Sequence, residues 1–258
     1  MARLNCRFPE CSGNHPLWLH TMNSRKIIDQ CLAPLLFNSV SPGGGMALQQ
    51  PQTLPDGFVY LDEVITDILL DLRYCSADNF IGERIDGYLQ ARGILTREAA
   101  NALAGVQAEL KTSGLGLKIF DAYRPQQAVD HFKRWAADAS DVRMKAQYYP
   151  ELDKHELLLQ GYIAVQSSHT RGSTVDLGIV NLLQCADDPG LDMGSHFDYF
   201  GPESWSNYTA ITPQQCANRR LLRELMMRHG FIPFEKEWWH FTLGNEPFPD
   251  SYFNFPVM

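Results

Sequence analysis

The clearest chemical signal in the chain is the run Ser167-Ser168-His169-Thr170-Arg171-Gly172-Ser173-Thr174-Val175-Asp176, an imidazole and a carboxylate with a glycine between them. His169 and Asp176 are seven residues apart, and on a flat strand an odd separation sends two side chains to opposite faces. They converge only where the chain turns or bulges, and Gly172 is the residue that permits this. Alone, a His and an Asp around a glycine turn also fit a purely structural role. A second signal, Glu237-Trp238-Trp239-His240, sets a carboxylate three residues before a histidine beside two large aromatics. A dry metal site needs that combination, although a tryptophan-rich core strand with a solvated glutamate has the same spelling.

Together the two signals describe a recognised chemistry. Catalytic zinc takes three protein ligands from His and carboxylate and keeps one position open. His169, Asp176 and His240 supply two neutral ligands and one anion. Such a site stays net positive and can lower the pKa of water from ~15.7 to about 7. Glu237 is then a base outside the ligand set, taking the water proton and passing it to the leaving amine. A cation is still needed for the developing oxyanion. Arg124, in Asp121-Ala122-Tyr123-Arg124-Pro125, is the candidate, with a surface ion pair to Asp121 as the alternative.

The elements that must position these groups are partly legible. Thr96 predicts the cap of a helix with apolar Ala99, Leu103, Val106 and Leu110 at helical spacing, ending at Gly114. Leu115 to Phe120 predicts a strand, and Pro125 the first turn of a helix through Trp135. Residues 162–166 and 174–180 read as strands around a polar turn. Thr212-Pro213-Gln214-Gln215 is a capping box for a helix stopping at Gly230, and a strand is expected from Glu237 to Leu243. Helices and strands do not alternate regularly. The expected fold is therefore α+β, with a small, mainly antiparallel sheet flanked by helices.

Composition bounds the rest. The 258 residues are 45% hydrophobic and 20% charged, as in an ordinary globular protein. A net charge of -8 argues against nucleic acid as a partner, since phosphate tracking needs a basic stripe. Arg219, Arg220 and Arg223 cluster on what reads as one solvated helix face. Six cysteines in a chain of this length make no disulfide scaffold, and no apolar run approaches the ~20 residues of a membrane span.

The chain changes character near residue 55, after the linker-like Ser41-Pro42-Gly43-Gly44-Gly45 and Gln49-Gln50-Pro51-Gln52. Residues 1–55 read as an irregular extension and residues 56–258 as one domain. Arg25-Lys26 followed by Cys31–Val40 has part of the form of an export signal, but Asp29 and Gln30 interrupt it. A cytoplasmic location is expected, or a periplasmic one if that segment is a signal. Cys6, Cys11, His15 and His20 look like a zinc quartet, but their spacing is too short for a finger and a chance grouping is expected.

From about Phe58 to the C-terminus the chain resembles the VanX-type D-alanyl-D-alanine dipeptidases, in the zinc peptidase group that includes D-Ala-D-Ala carboxypeptidases and hedgehog domains. The resemblance runs through Phe58-Val59-Tyr60-Leu61-Asp62-Glu63, Asp78-Asn79-Phe80, Asp86-Gly87-Tyr88 and Asp121-Ala122-Tyr123-Arg124-Pro125. It continues through Ser167–Ser173, Met193-Gly194-Ser195, Phe197-Asp198, Glu237-Trp238-Trp239-His240 and the tail Ser251–Pro256. It implies a single zinc-peptidase domain holding one zinc ion per chain on His169, Asp176 and His240. It further implies Glu237 as base, Arg124 as stabiliser of the tetrahedral intermediate, and Asp198 as the acid that holds the substrate's free ammonium. Tyr74, Tyr88 and Ser167 match positions that line the family's substrate pocket. The implied activity is hydrolysis of the small dipeptide D-alanyl-D-alanine, within peptidoglycan metabolism. A D,D-carboxypeptidase acting on longer peptides and a non-catalytic zinc-stabilised binding domain are the competing readings.

Overall fold

In the computed structural model, which describes residues 53–183 and 190–258, helices and strands follow one another without regular alternation. In chain order they are β1 (Phe58–Tyr60), α1 (Leu61–Val64), β2 (Leu69–Leu70), β3 (Ile94–Thr96), α2 (Arg97–Lys111) and β4 (Leu115–Asp121). Then come α3 (Gln126–Ala137), α4 (Lys145–Tyr148), α5 (Lys154–Leu159), β5 (Thr174–Asn181), α6 (Pro213–Arg228), β6 (Phe231–Pro233) and β7 (His240–Leu243). The expectations for the extension, its Cys6/Cys11/His15/His20 grouping and its export-like segment lie outside the described residues.

The main sheet has five strands in the order β2-β4-β5-β7-β6, and only the β2–β4 pair is parallel. The fold is thus α+β with a mainly antiparallel sheet, as expected. Strand β5 runs through its middle, and Thr174 to Val180 are all buried, because a central strand is covered on both faces. The Thr96 hydroxyl accepts from Ala99 N to cap α2, whose Ala99, Leu103, Val106 and Leu110 face the core. Helix α6 opens on the Thr212/Gln215 capping box and ends before Gly230 at φ 88°. Tyr74, Phe80, Phe132, Phe197 and Trp239 form an aromatic part of the core.

Four expectations need correction. Residues 162–166 form no strand: Tyr162 N and Ile163 N both donate to Leu157 O, finishing α5 after Gly161 at φ 80°. Their donors are used by a helix end and not by a ladder. The strand expected from Glu237 begins only at His240, because His240 N donates to Glu237 O and folds the preceding residues into a turn. Pro125 is the N-cap of α3, just outside its first turn. Arg219 is not on a solvated face: it is 5% exposed and its guanidinium donates to the carbonyls of Met193, Glu203 and Trp205. Those three acceptors offset the cost of taking it out of water.

Candidate metal centre

The sheet register does most of the assembly. In the β5–β7 pair Asp176 lies opposite His240, so their side chains share one face as direct cross-strand neighbours. In the β4–β5 pair the register shifts between Ile119 and Asp121, and this bulge sets Asp121 opposite Asp176. Three chemically active residues therefore line up across three adjacent strands. His169 arrives from a 3-10 turn, Ser168–Arg171, that leads into β5. Gly172 closes the turn at φ 85°, and a Cβ there would collide with the Phe58 ring. Gly172 thus meets both demands of the site, a left-handed backbone and a close approach.

His169 Nε2, Asp176 Oδ1 and His240 Nδ1 form a triangle with edges of 3.2, 3.0 and 3.3 Å. Ligand atoms about 2.0–2.2 Å from a tetrahedral zinc stand roughly 3.3–3.6 Å apart, so the triangle is close to that size. Asp176 Oδ1 is buried and makes no hydrogen bond, although two imidazole nitrogens stand beside it. The three atoms all lie within 4.8 Å of one another, close enough to share one ion. His169 Nδ1 donates to Ala122 O at 2.7 Å, which leaves the Nε2 lone pair for such an ion. His240 Nε2 lies 3.3 Å from Ser168 Oγ, leaving Nδ1 for the site. Burial holds the His169 pKa below its ordinary value. Burial would raise that of Asp176, but the neighbouring imidazoles outweigh it and keep the carboxyl low. Burial would lower the His240 pKa, but Asp176 beside it outweighs burial and holds it above its ordinary value. A divalent cation binding there displaces a proton and takes neutral imidazole and ionised carboxylate as its ligands. These residues fit zinc.

Glu237 stands at the edge of the triangle, Oε2 3.5 Å from His240 Nδ1, placed by the turn that replaces the expected strand. Burial, assisted by the charge of Asp176, pushes its carboxyl up to about 7. Arg124 Nε and Nη2 both donate to Asp121 Oδ2 at 2.9 Å, and Nη2 lies 3.5 Å from Asp176 Oδ2. The pair with Asp121 is real, but it is buried: Asp121 is 0% exposed. The guanidinium sits 5.1 Å from the ring centroids of both Tyr74 and Phe132. Asp198 is buried and accepts from Tyr74 Oη at 2.9 Å. Burial first, and then the charge of Asp176, hold its carboxyl well above the usual range.

A cavity of about 530 Å³ joins these groups, bordered by Tyr74, Arg124, Ser167, Asp198 and Glu237 as well as the triangle. Ser167 also caps the 3-10 turn, its Oγ accepting from His169 N. Tyr88 is apart from the others. It does not border the cavity, and its hydroxyl donates to Asp121 Oδ1 at 2.6 Å from behind. Sequence reasoning missed Asp121 as a member of the site. The available signal was its i,i+3 spacing to Arg124 where a strand gives way to a helix.

The chain is similar to known proteins along most of its length. The family model described as D-ala-D-ala dipeptidase, peptidase M15, matches residues 55–258. A D-alanyl-D-alanine dipeptidase of Enterococcus faecalis is 43% identical over 206 residues, covering 79% of this chain and 100% of the relative. One from Streptomyces coelicolor is 40% identical over 200 residues, covering 78% and 98%. Among solved structures, a mutant of the vancomycin resistance D,D-pentapeptidase VanY in complex with Zn(II) aligns with 15% identity and a TM-score of 0.36. That alignment covers 62% of this chain and 78% of the other.

Proposed function

This chain belongs to the D-Ala-D-Ala dipeptidase family of M15 peptidases, and we propose that it hydrolyses D-alanyl-D-alanine to two D-alanines in a zinc-dependent reaction. The observation that carries the reading is the buried Asp176 Oδ1, without a hydrogen bond and converging with two imidazoles beside Glu237 and Arg124. One zinc ion per chain, held by His169, Asp176 and His240, supplies Lewis acidity that makes water a nucleophile near neutral pH. Glu237 takes the proton of the attacking water on its carboxylate and delivers it to the leaving amine. Arg124 presents a fixed positive charge to the oxyanion of the tetrahedral intermediate. Asp121 holds its Nε and Nη2, so the guanidinium is already oriented when charge develops. Asp198 receives the substrate's ammonium in a buried setting, where an N-blocked peptide would leave the carboxylate unpaired. Tyr74 orients Asp198, Ser167 borders the dipeptide, and Tyr88 acts through Asp121.

Residues 56–258 form the catalytic domain in this reading, with residues 1–55 as an extension to it. Among the described residues no helix is long and apolar enough to cross a membrane. The test compares D-alanine release from D-Ala-D-Ala and from N-acetyl-D-Ala-D-Ala by the zinc-loaded protein. Efficient cleavage of the acetylated peptide would assign a carboxypeptidase instead.

A further inference from the structure

Asp198 is the one non-glycine residue with positive φ among the described residues. Tyr199 N donates to His196 O at 3.3 Å, closing a turn in which Asp198 is the third residue, at φ 62°. Glycine or asparagine usually fills a left-handed position of this kind. Aspartate also tolerates it, and here its loop is held by hydrogen bonds from outside the turn.

The loop is held by a directed chain of hydrogen bonds. Ser204 Oγ donates to Tyr199 O at 2.6 Å, so the Ser195 hydroxyl, 2.9 Å away, is the donor to Ser204 Oγ. Ser195 Oγ in turn accepts from Trp238 Nε1 at 3.0 Å. The chain thus runs from the residue after Glu237 to the carbonyl of the residue after Asp198. Arg219 fastens both ends of the same loop: Nε donates to Met193 O, Nη2 to Glu203 O at 2.6 Å and Nη1 to Trp205 O at 2.9 Å. Neither Ser195 nor Arg219 borders the active-site cavity.

We infer that Ser195 and Arg219 are positioning residues that fix Asp198 relative to Glu237 and thereby select peptides with a free ammonium next to the scissile bond. The inference rests on Asp198 as the ammonium acceptor. In a dipeptide the ammonium nitrogen is two bonds from the scissile carbonyl carbon, so the substrate cannot flex to follow a displaced acid. A drift of about 1 Å is enough to lose a positioned contact. An N-acylated peptide makes no such contact and does not register the drift.

The experiment measures kcat and KM of zinc-loaded Ser195→Ala and Arg219→Lys enzymes on D-Ala-D-Ala and on N-acetyl-D-Ala-D-Ala. Selectivity for the free dipeptide should fall roughly tenfold, about the effect of one buried hydrogen bond, mainly through KM. Cleavage of the acetylated peptide should be unchanged. Equal losses on both substrates would mean a merely structural role and would overturn the inference. If Arg219→Lys does not fold, Ser195→Ala alone decides. Asp198→Asn is run in parallel. Unchanged selectivity in that variant refutes the ammonium reading itself. A loss there with none in Ser195→Ala refutes the positioning role alone.

Discussion

Replacing Asp198 by Asn should make the protein more stable and a poorer dipeptidase at once. Asp198 is 4% exposed, and its carboxyl is held well above the usual range by burial and by the charge of Asp176. The amide keeps the shape, still accepts from Tyr74 Oη and tolerates φ 62° at least as well. Removing a buried carboxylate with one neutral donor should contribute about 1–2 kcal/mol, a rise in Tm of roughly 2–8 °C for a domain of this size. The sign follows from linkage. A carboxyl whose folded pKa lies above its unfolded value stabilises fully only below the unfolded pKa, and that stability is lost as pH rises through the folded pKa. The gain from Asn should therefore be largest at high pH and close as pH falls toward ~4. On activity, losing the partner of a desolvated ammonium costs about 2–5 kcal/mol, or roughly 30-fold to several thousandfold in kcat/KM for D-Ala-D-Ala. Calorimetry across pH and steady-state kinetics measure both effects. A Tm that does not rise, or a gain that grows as pH falls, would refute the electrostatic account.

Three further outcomes follow from the same geometry. Glu237→Gln should keep its zinc by elemental analysis while kcat drops about 10²–10⁴-fold, and retained turnover would remove Glu237 as base. Asp176→Ala should lose zinc on dialysis against a weak chelator that leaves the parent loaded, because it deletes the anionic corner of the triangle. Gly172→Ala should lower Tm by several degrees, since φ 85° alone costs about 1–2 kcal/mol and the new methyl would meet Phe58. An unchanged Tm would contradict the backbone reading of that turn.

Local signals carried much of the fold. The caps at Thr96 and Thr212 and the periodic face of α2 were legible because capping and amphipathicity act within a few residues. Residues 162–166 misled because apolar Tyr162 and Ile163 serve a helix end, and periodicity alone does not separate that role from a short strand. Arg219 misled for a related reason: a charged residue on a helix reads as solvated until the carbonyls that receive it are known.

By itself the sequence determined the residue types of the candidate metal centre. His169, Asp176, Glu237 and His240 are the residue types a zinc hydrolase requires, and Gly172 marks where the chain turns to bring two of them together. Only the tertiary structure decided how the site closes. Asp121, Asp176 and His240 come from three strands, aligned by sheet register and one bulge, and no local spacing encodes a register between distant strands. The same is true of Asp198, whose carboxyl is buried on a loop to which Arg219 and Ser195 hydrogen-bond. Ligand identity is a property of side chains, whereas convergence is a property of the packed sheet and the hydrogen bonds that fasten its loops.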